Sequence, residues 1–386
     1  MLLKSLVVYM LIICANACLW DEETLVQERS IFPSTLELIA GKFPRHSTHF
    51  YQWRIKDRLQ KIENDHDNLA LYDDLAVSYD KVGEHSKAIE VMLQKEKKSP
   101  GLYETYANMG TFYIHSRQYK KGLIYIDKAI AINPDAHFGR EVYQKYLVEY
   151  LLSKMIDSKI TLPLFTLTEK AKHYKYKTVT DYISSSRSNI FVASSIFNGF
   201  VDFLQKKQGK KFSRHKAVNG ILGMMRFGNF SSPILLEVLA HLLIEKEHRH
   251  HNASKLACRA FLQASSHSKD TSLKKIYYDL AKLCISGHRN PKQDFETEQK
   301  QFTHELQDAN NWYTKLCEDE KKWIATNKDV EKKFQEKYYK NIAVIGLATT
   351  SDISFIKIIL LFLLVVCIYF ALKKIKKYRF AISQTS

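Results

Sequence analysis

Residues 69–100 read LALYDDLAVSYDKVGEHSKAIEVMLQKEKKSP, and residues 103–134 read YETYANMGTFYIHSRQYKKGLIYIDKAIAINP. Set one above the other at an offset of 34, they pair Tyr72 with Tyr106, Leu75 with Met109, Ala76 with Gly110 and Tyr79 with Tyr113. The register continues through Ala88 with Gly122, Met92 with Ile126 and Pro100 with Pro134. Tyr72, Leu75 and Tyr79 are spaced by three and four residues, which puts one apolar stripe on a helix. Ala76, Gly110, Ala88 and Gly122 are small where two helices of one unit must cross closely. Pro100 and Pro134 end the second helix of each unit, because proline and the residue before it both disfavour continued helix. Each unit is predicted as helix-turn-helix, and a fixed period of this length marks stacked repeats.

The order large residue, Leu or Met, small residue, Tyr, then small, apolar and Pro resembles the tetratricopeptide repeat (TPR) family. Lys95 stands where that pattern has Ala, and Ser86 and Lys120 depart from it in the turn region. The resemblance implies an all-α fold, a TPR-type helix-turn-helix solenoid with flanking irregular helices. It also implies a non-enzymatic scaffold for protein–protein interaction, holding an extended peptide or a partner helix on the concave face of the first helices. Carried onto this chain, the peptide-binding groove comprises Asp73, Val77 and Asp80 from the first unit and Glu104, Asn108 and Thr111 from the second. The carboxylate-clamp variant is not matched, since Asp73 and Val77 stand where it has Lys and Asn. Asp73, Asp80 and Glu104 in such a groove favour a cationic or neutral ligand; the plainer reading is helix carboxylates that aid solubility.

Two repeats cannot close a core, so flanking helices must cap them. Residues 46–64 read as a preceding helix with Phe50, Trp53 and Leu59 for burial, and residues 135–154 as a following one with Tyr143, Leu147 and Tyr150. Further helices are expected over 190–205, 216–227, 233–247, 253–265 and 273–286. From Phe302, residues Leu306, Ala309, Tyr313, Leu316, Glu320, Trp323, Asn327, Val330 and Phe334 alternate in steps of four and three. That near-heptad predicts one long helix over about 292–340, packed along the solenoid or paired with a second copy as a coiled coil. Only 13 Gly and 7 Pro occur in 386 residues, well under the usual shares of roughly 7% and 5%, which argues against a sandwich, a barrel or a Gly-rich nucleotide fold.

The two ends of the chain carry address signals. Lys4, the apolar run Leu6 to Ile13 and Ala15-Asn16-Ala17 read as a signal peptide over 1–17, cleaved after Ala17; a retained anchor and a lipid-modified Cys18 are the alternatives. Residues 353–372 are interrupted only by Ser354 and Lys357, and at about 1.5 Å per residue they span about 30 Å of hydrocarbon. Lys373, Lys374, Lys376, Lys377 and Arg379 follow and hold that end in the cytoplasm. The organisation expected is an N-terminal helical cap over 18–66, TPR repeats over 67–154, an irregular helical-repeat region over 155–290 and a long helix or stalk over 291–345. A transmembrane helix over 353–372 and a basic cytoplasmic tail over 373–386 complete it. The expected location is a single-pass membrane protein with the bulk of the chain extracytoplasmic, facing the periplasm in a bacterial host.

The formal net charge is +17, and setting aside Lys4, Lys357 and the five tail cations leaves an excess of ten for residues 18–352. An exported basic domain could lean on a cell-wall polymer or anionic lipid, which is the alternative function; nucleic acid is not an expected partner. The sequence contains no GxSxG, HExxH, P-loop, GxGxxG or Cys-x-x-Cys motif, so no enzyme, cofactor or metal site is expected. A helical-repeat enzyme is the least supported reading. His248, His250 and His251 form the densest imidazole tract, in a turn that supplies metal ligands poorly. Of the cysteines outside the two end segments, Cys18, Cys258, Cys284 and Cys317, no disulfide framework is visible, and a pairing such as Cys258 with Cys284 on neighbouring expected helices is the kind the spacing allows.

Overall fold

Helices account for nearly all the structure because the apolar residues recur at helical spacing. The computed structural model describes residues 35–134, 136–168, 176–177, 181–182, 197–244, 251–286 and 291–340. Contacts divide the chain into residues 1–345 and 346–386, and all described residues belong to the first of these. The signal peptide, Cys18, His248, His250, the span over 353–372 and the basic tail lie outside the described residues. Among the described residues no helix is long and apolar enough to cross a membrane.

Fourteen α-helices are present among the described residues. They are α1 (Thr35–Ala40), α2 (Thr48–Asn64), α3 (Leu69–Lys81), α4 (His85–Lys98), α5 (Tyr103–His115), α6 (Tyr119–Ile132) and α7 (Arg140–Lys154). A two-stranded antiparallel ladder joins Thr166–Leu167 to Phe197–Asn198. The second half holds α8 (Phe200–Gln208), α9 (Arg214–Met224), α10 (Pro233–Leu243), α11 (His251–His267) and α12 (Thr271–Ile285). The chain then continues through α13 (Pro291–Ala325) and α14 (Val330–Phe334). Successive helices pack on their chain neighbours from α2 to α7 and from α9 to α12. The fold class is all-α.

The two repeat units form the hairpins α3/α4 and α5/α6. Both turns close the same way: the Gly83 amide donates to the Asp80 carbonyl and that of Glu84 to Tyr79, while Arg117 donates to Ile114 and Gln118 to Tyr113. Such paired bonds cap a helix whose next residue is left-handed, and Gly83 has φ 87° and Arg117 φ 63°. Within the second hairpin the helices touch. A Cβ on Gly122 would lie 2.6 Å from Ile114 Cγ1 and 2.9 Å from the Gly110 carbonyl oxygen. Because one of those neighbours is backbone, Gly122→Ala must push the helices apart. Overpacking of about 1–3 kcal/mol outweighs the helix-propensity gain of about 1 kcal/mol. The expected result is a lower thermal midpoint by circular dichroism, and an unchanged or higher one would mean the hairpin parts at no cost.

The first two and the last two described α-helices share a contact region. Leu38, Ile39, Ala40 and Phe43, in and just after α1, join the large core of α7 to α13, and α2 packs on both α3 and α13. The cap therefore bridges the two halves. Its buried face is Phe50, Arg54 and Arg58, whereas Leu59, expected to be buried, is 43% exposed. The arginines are buried because acidic and hydroxyl partners await them. Arg54 Nε donates to Ser78 Oγ at 2.8 Å, and Arg58 Nε donates to Asp74 at 2.7 Å while its far nitrogen reaches Glu331.

The expected single helix over 292–340 is two pieces. α13 stops at Ala325, where Asn327 takes φ 49° and Asp329 caps α14 by accepting from the Lys332 amide. The continuation over Gln335–Tyr339 folds back, stacking Tyr338 edge-on against Trp312, with ring centroids 5.6 Å apart. The seam of α13 packs along its own chain. Phe302 and Ala309 enter the main core, while Leu316, Trp323, Val330 and Phe334 cluster with Phe50. Glu320, fully buried in that seam, accepts from the Ser47 amide at 2.9 Å and pairs with His46. Cys258 and Cys284 are buried free thiols, so that pairing is not made.

Candidate functional site

Helix α3 is surrounded on nearly every side, and this decides the fate of the expected groove. Asp73, Val77, Asp80, Asn108 and Thr111 are buried, and Glu104 is half-buried. Asp73 accepts from Lys95 Nζ at 2.5 Å and from Asn108 Nδ2 at 3.3 Å. Burial pushes the Asp73 carboxyl up to about 7 even though the Lys95 ammonium opposes it. Val77 lies in the hydrophobic core with Leu75 and Met109. An open strip of carboxylates facing a peptide is therefore not what these residues form. Lys95 supplies the counter-ion that lets Asp73 be buried.

Asp80 heads a second polar cluster. Its carboxylate accepts from His85 Nδ1 at 2.7 Å and from His115 Nδ1 at 2.9 Å. Burial alone would raise Asp80, but the His115 and His85 imidazoles and the Lys81 charge hold it well below the usual carboxylate range. The Asp80 hydrogen bond in turn raises His85. Asp80 is buried while both histidine side chains are about 30% exposed. Neither histidine stands out in the sequence. The signal that could have found His115 is spacing: Asp80 to His115 and Asp73 to Asn108 are both separations of 35, one more than the repeat, which is where a stacked first helix meets its neighbour.

Thr111, the last groove position, opens onto a cavity of about 250 Å³ between the repeats and the second half. α7 supplies Gln144, Leu147, Val148 and Leu151, and the turn after α9 and the start of α10 supply Phe227, Ile234 and Leu235. Gln144 Nε2 donates to Thr111 Oγ1 at 3.2 Å, and its Oε1 accepts from no described group. Arg140 lies over the Phe227 ring at 4.7 Å. The Lys81 ammonium fixes the same turn from the repeat side by bonding to the carbonyls of Phe227 and Gly228. The cavity has apolar walls, a few polar groups and a side opening, the usual make-up of a site for an apolar side chain. His115 lines it as well.

No protein-family model, curated protein or solved structure matches this chain.

Proposed function

We propose that the protein is a membrane-tethered, TPR-like scaffold that holds a segment of a partner protein, with no catalytic role. The repeat register at an offset of 34 and the two helical hairpins that share one turn geometry support the TPR-like part. The single observation that carries the binding part is the apolar cavity at Thr111, between the second hairpin, α7 and α10. A partner segment would place an apolar side chain against Leu147, Val148 and Leu235, and offer a backbone amide to Gln144 Oε1. The tether rests on the apolar stretch over 353–372 and the cations after it, which also suggest an extracytoplasmic location for the preceding residues.

Charge reversal at Asp73 or Asp80 would break buried pairs and unfold the repeats, so it cannot test this reading. Ile234 can, because it is half-buried at the mouth. In crosslinking of the full chain in its own membranes, the wild type should capture a partner that Ile234→Trp loses while keeping its helical circular dichroism. Equal capture by both would end the cavity reading. Capture that falls steeply with salt in both would favour the basic surface instead, since screening weakens charge contacts and leaves apolar ones.

A further inference from the structure

Three ligand-bearing side chains that the scaffold reading does not use converge at the edge of the repeats. One oxygen of Asp80 and one ring nitrogen each of His85 and His115 all lie within 4.8 Å of one another. Asp80 sits in the last turn of α3, His85 is the first residue of α4 and His115 the last of α5. Two helix caps of the same form fix the backbone under them, so the three groups are carried by rigid elements rather than by a loop. We propose that Asp80, His85 and His115 form a binding site for a divalent transition-metal ion of the Zn²⁺ class.

The chemistry of the donor set selects the ion. Two imidazoles and one carboxylate suit Zn²⁺, Co²⁺ or Fe²⁺, while Mg²⁺ and Ca²⁺ prefer oxygen throughout. The distances suit it too. A tetrahedral Zn²⁺ with bonds of about 2.05 Å holds its ligand atoms about 3.3 Å apart. Here Nδ1 of His85 and of His115 stand 2.7 and 3.0 Å from Asp80 Oδ1, so these two contacts open by about 0.6 and 0.3 Å as the ion replaces the bridging protons. The histidine side chains can make that movement because both are about 30% exposed. Asp80 needs none, and being buried it is a carboxylate that water screens poorly, which strengthens its hold on a cation. Three protein ligands leave the fourth position for water or another ligand. His115 also lines the cavity at Thr111, so the ion site and the proposed docking site share one residue, and the ion site does not depend on the docking reading.

The test uses the purified full chain, stripped with a chelator and titrated with Co²⁺, whose visible absorption intensifies in a tetrahedral nitrogen and oxygen site. The wild type should show these bands at one equivalent and lose them to one equivalent of Zn²⁺. His85→Ala and His115→Ala should bind at least tenfold more weakly, and Zn²⁺ should raise the thermal midpoint of the wild type but not of either variant. His85→Gln serves as a second variant should the alanine form fold poorly. A chain with His248, His250 and His251 all changed to Ala should bind as the wild type does. Absence of the bands in the wild type overturns the proposal. So does undiminished binding by the His85 and His115 variants, or loss of binding in the variant lacking the 248–251 imidazoles.

Discussion

Arg259→Ala is expected to cost about 3–5 kcal/mol, the range for removing one partner of a buried ionic group. Arg259, on α11, donates through Nε to Glu305 at 2.7 Å and through Nη1 to Glu298 at 2.5 Å. Its second Nη donates to the other Glu305 oxygen at 2.9 Å. All three residues are under 6% exposed, and both carboxylates belong to α13. Burial opposes the guanidinium charge, but Glu305 and Glu298 keep it fully protonated. Glu298, which burial would raise, is lowered by Lys255 and Arg259. Without Arg259, Glu305 is left as a buried anion in a packed seam, and α13 loses its main polar tie to α11. Thermal unfolding of the full chain followed at 222 nm should show a markedly lower midpoint. Changing Arg259 to Met together with Glu298 and Glu305 to Leu should recover most of the loss, because an apolar set of similar volume needs no desolvation of charge. A loss under about 1 kcal/mol for the alanine variant would show that the pair is solvated and that α13 is held by its apolar seam alone.

The same seam shows what the sequence could and could not reveal. The steps of three and four from Phe302 to Phe334 mark a buried stripe, and Phe302, Ala309, Leu316, Trp323, Val330 and Phe334 are buried. The break at Asn327 was not visible, because a left-handed residue and an aspartate cap interrupt the helix without shifting the seven-residue register. The polar seam position, Glu320, left two partners open until His46 and Ser47 met it from 274 and 273 residues away. Arg54 and Arg58 are buried for the same reason, and hydropathy assigns arginine to the surface unless its counter-ions are known. The repeat itself was legible because its constraints are local: Gly122 answers to Ile114 and Gly110 within one hairpin. Its surroundings were not. The groove positions follow from the repeat pattern only if the array is open, whereas here α2 and the turn at Phe227–Gly228 close around α3, and Asp73 and Asp80 find internal partners. Histidines 85 and 115 have no shared motif, and only stacking at a separation of 35 brings the second to Asp80.

Glu237 ties the stability of the second half of the fold to pH. This α10 carboxyl is 1% exposed; it accepts from the Leu164 amide at 2.8 Å and from the Tyr277 hydroxyl at 2.6 Å. Burial raises it from 4.5 to about 7, against the lowering effect of those two hydrogen bonds. A carboxyl raised on folding binds its proton more tightly in the folded state, so the contribution of Glu237 to stability is greatest below about pH 4.5 and is lost as pH rises toward 7. At 1.36 kcal/mol per unit the decline amounts to something on the order of 3 kcal/mol by pH 8. Glu237→Gln removes the titration while its amide oxygen can still accept from Leu164 and its amide can donate to the Tyr277 oxygen. Between pH 5 and pH 8 the denaturant midpoint of the wild type should therefore fall relative to that of the variant, which becomes the more stable of the two at pH 8. The comparison isolates Glu237 because Asp73, also raised on folding, titrates equally in both proteins. Parallel pH profiles would mean that Glu237 is ionised throughout. The Leu164 amide and the Tyr277 hydroxyl would then be sufficient to hold a buried anion at the junction of the segment after α7 with α10 and α12.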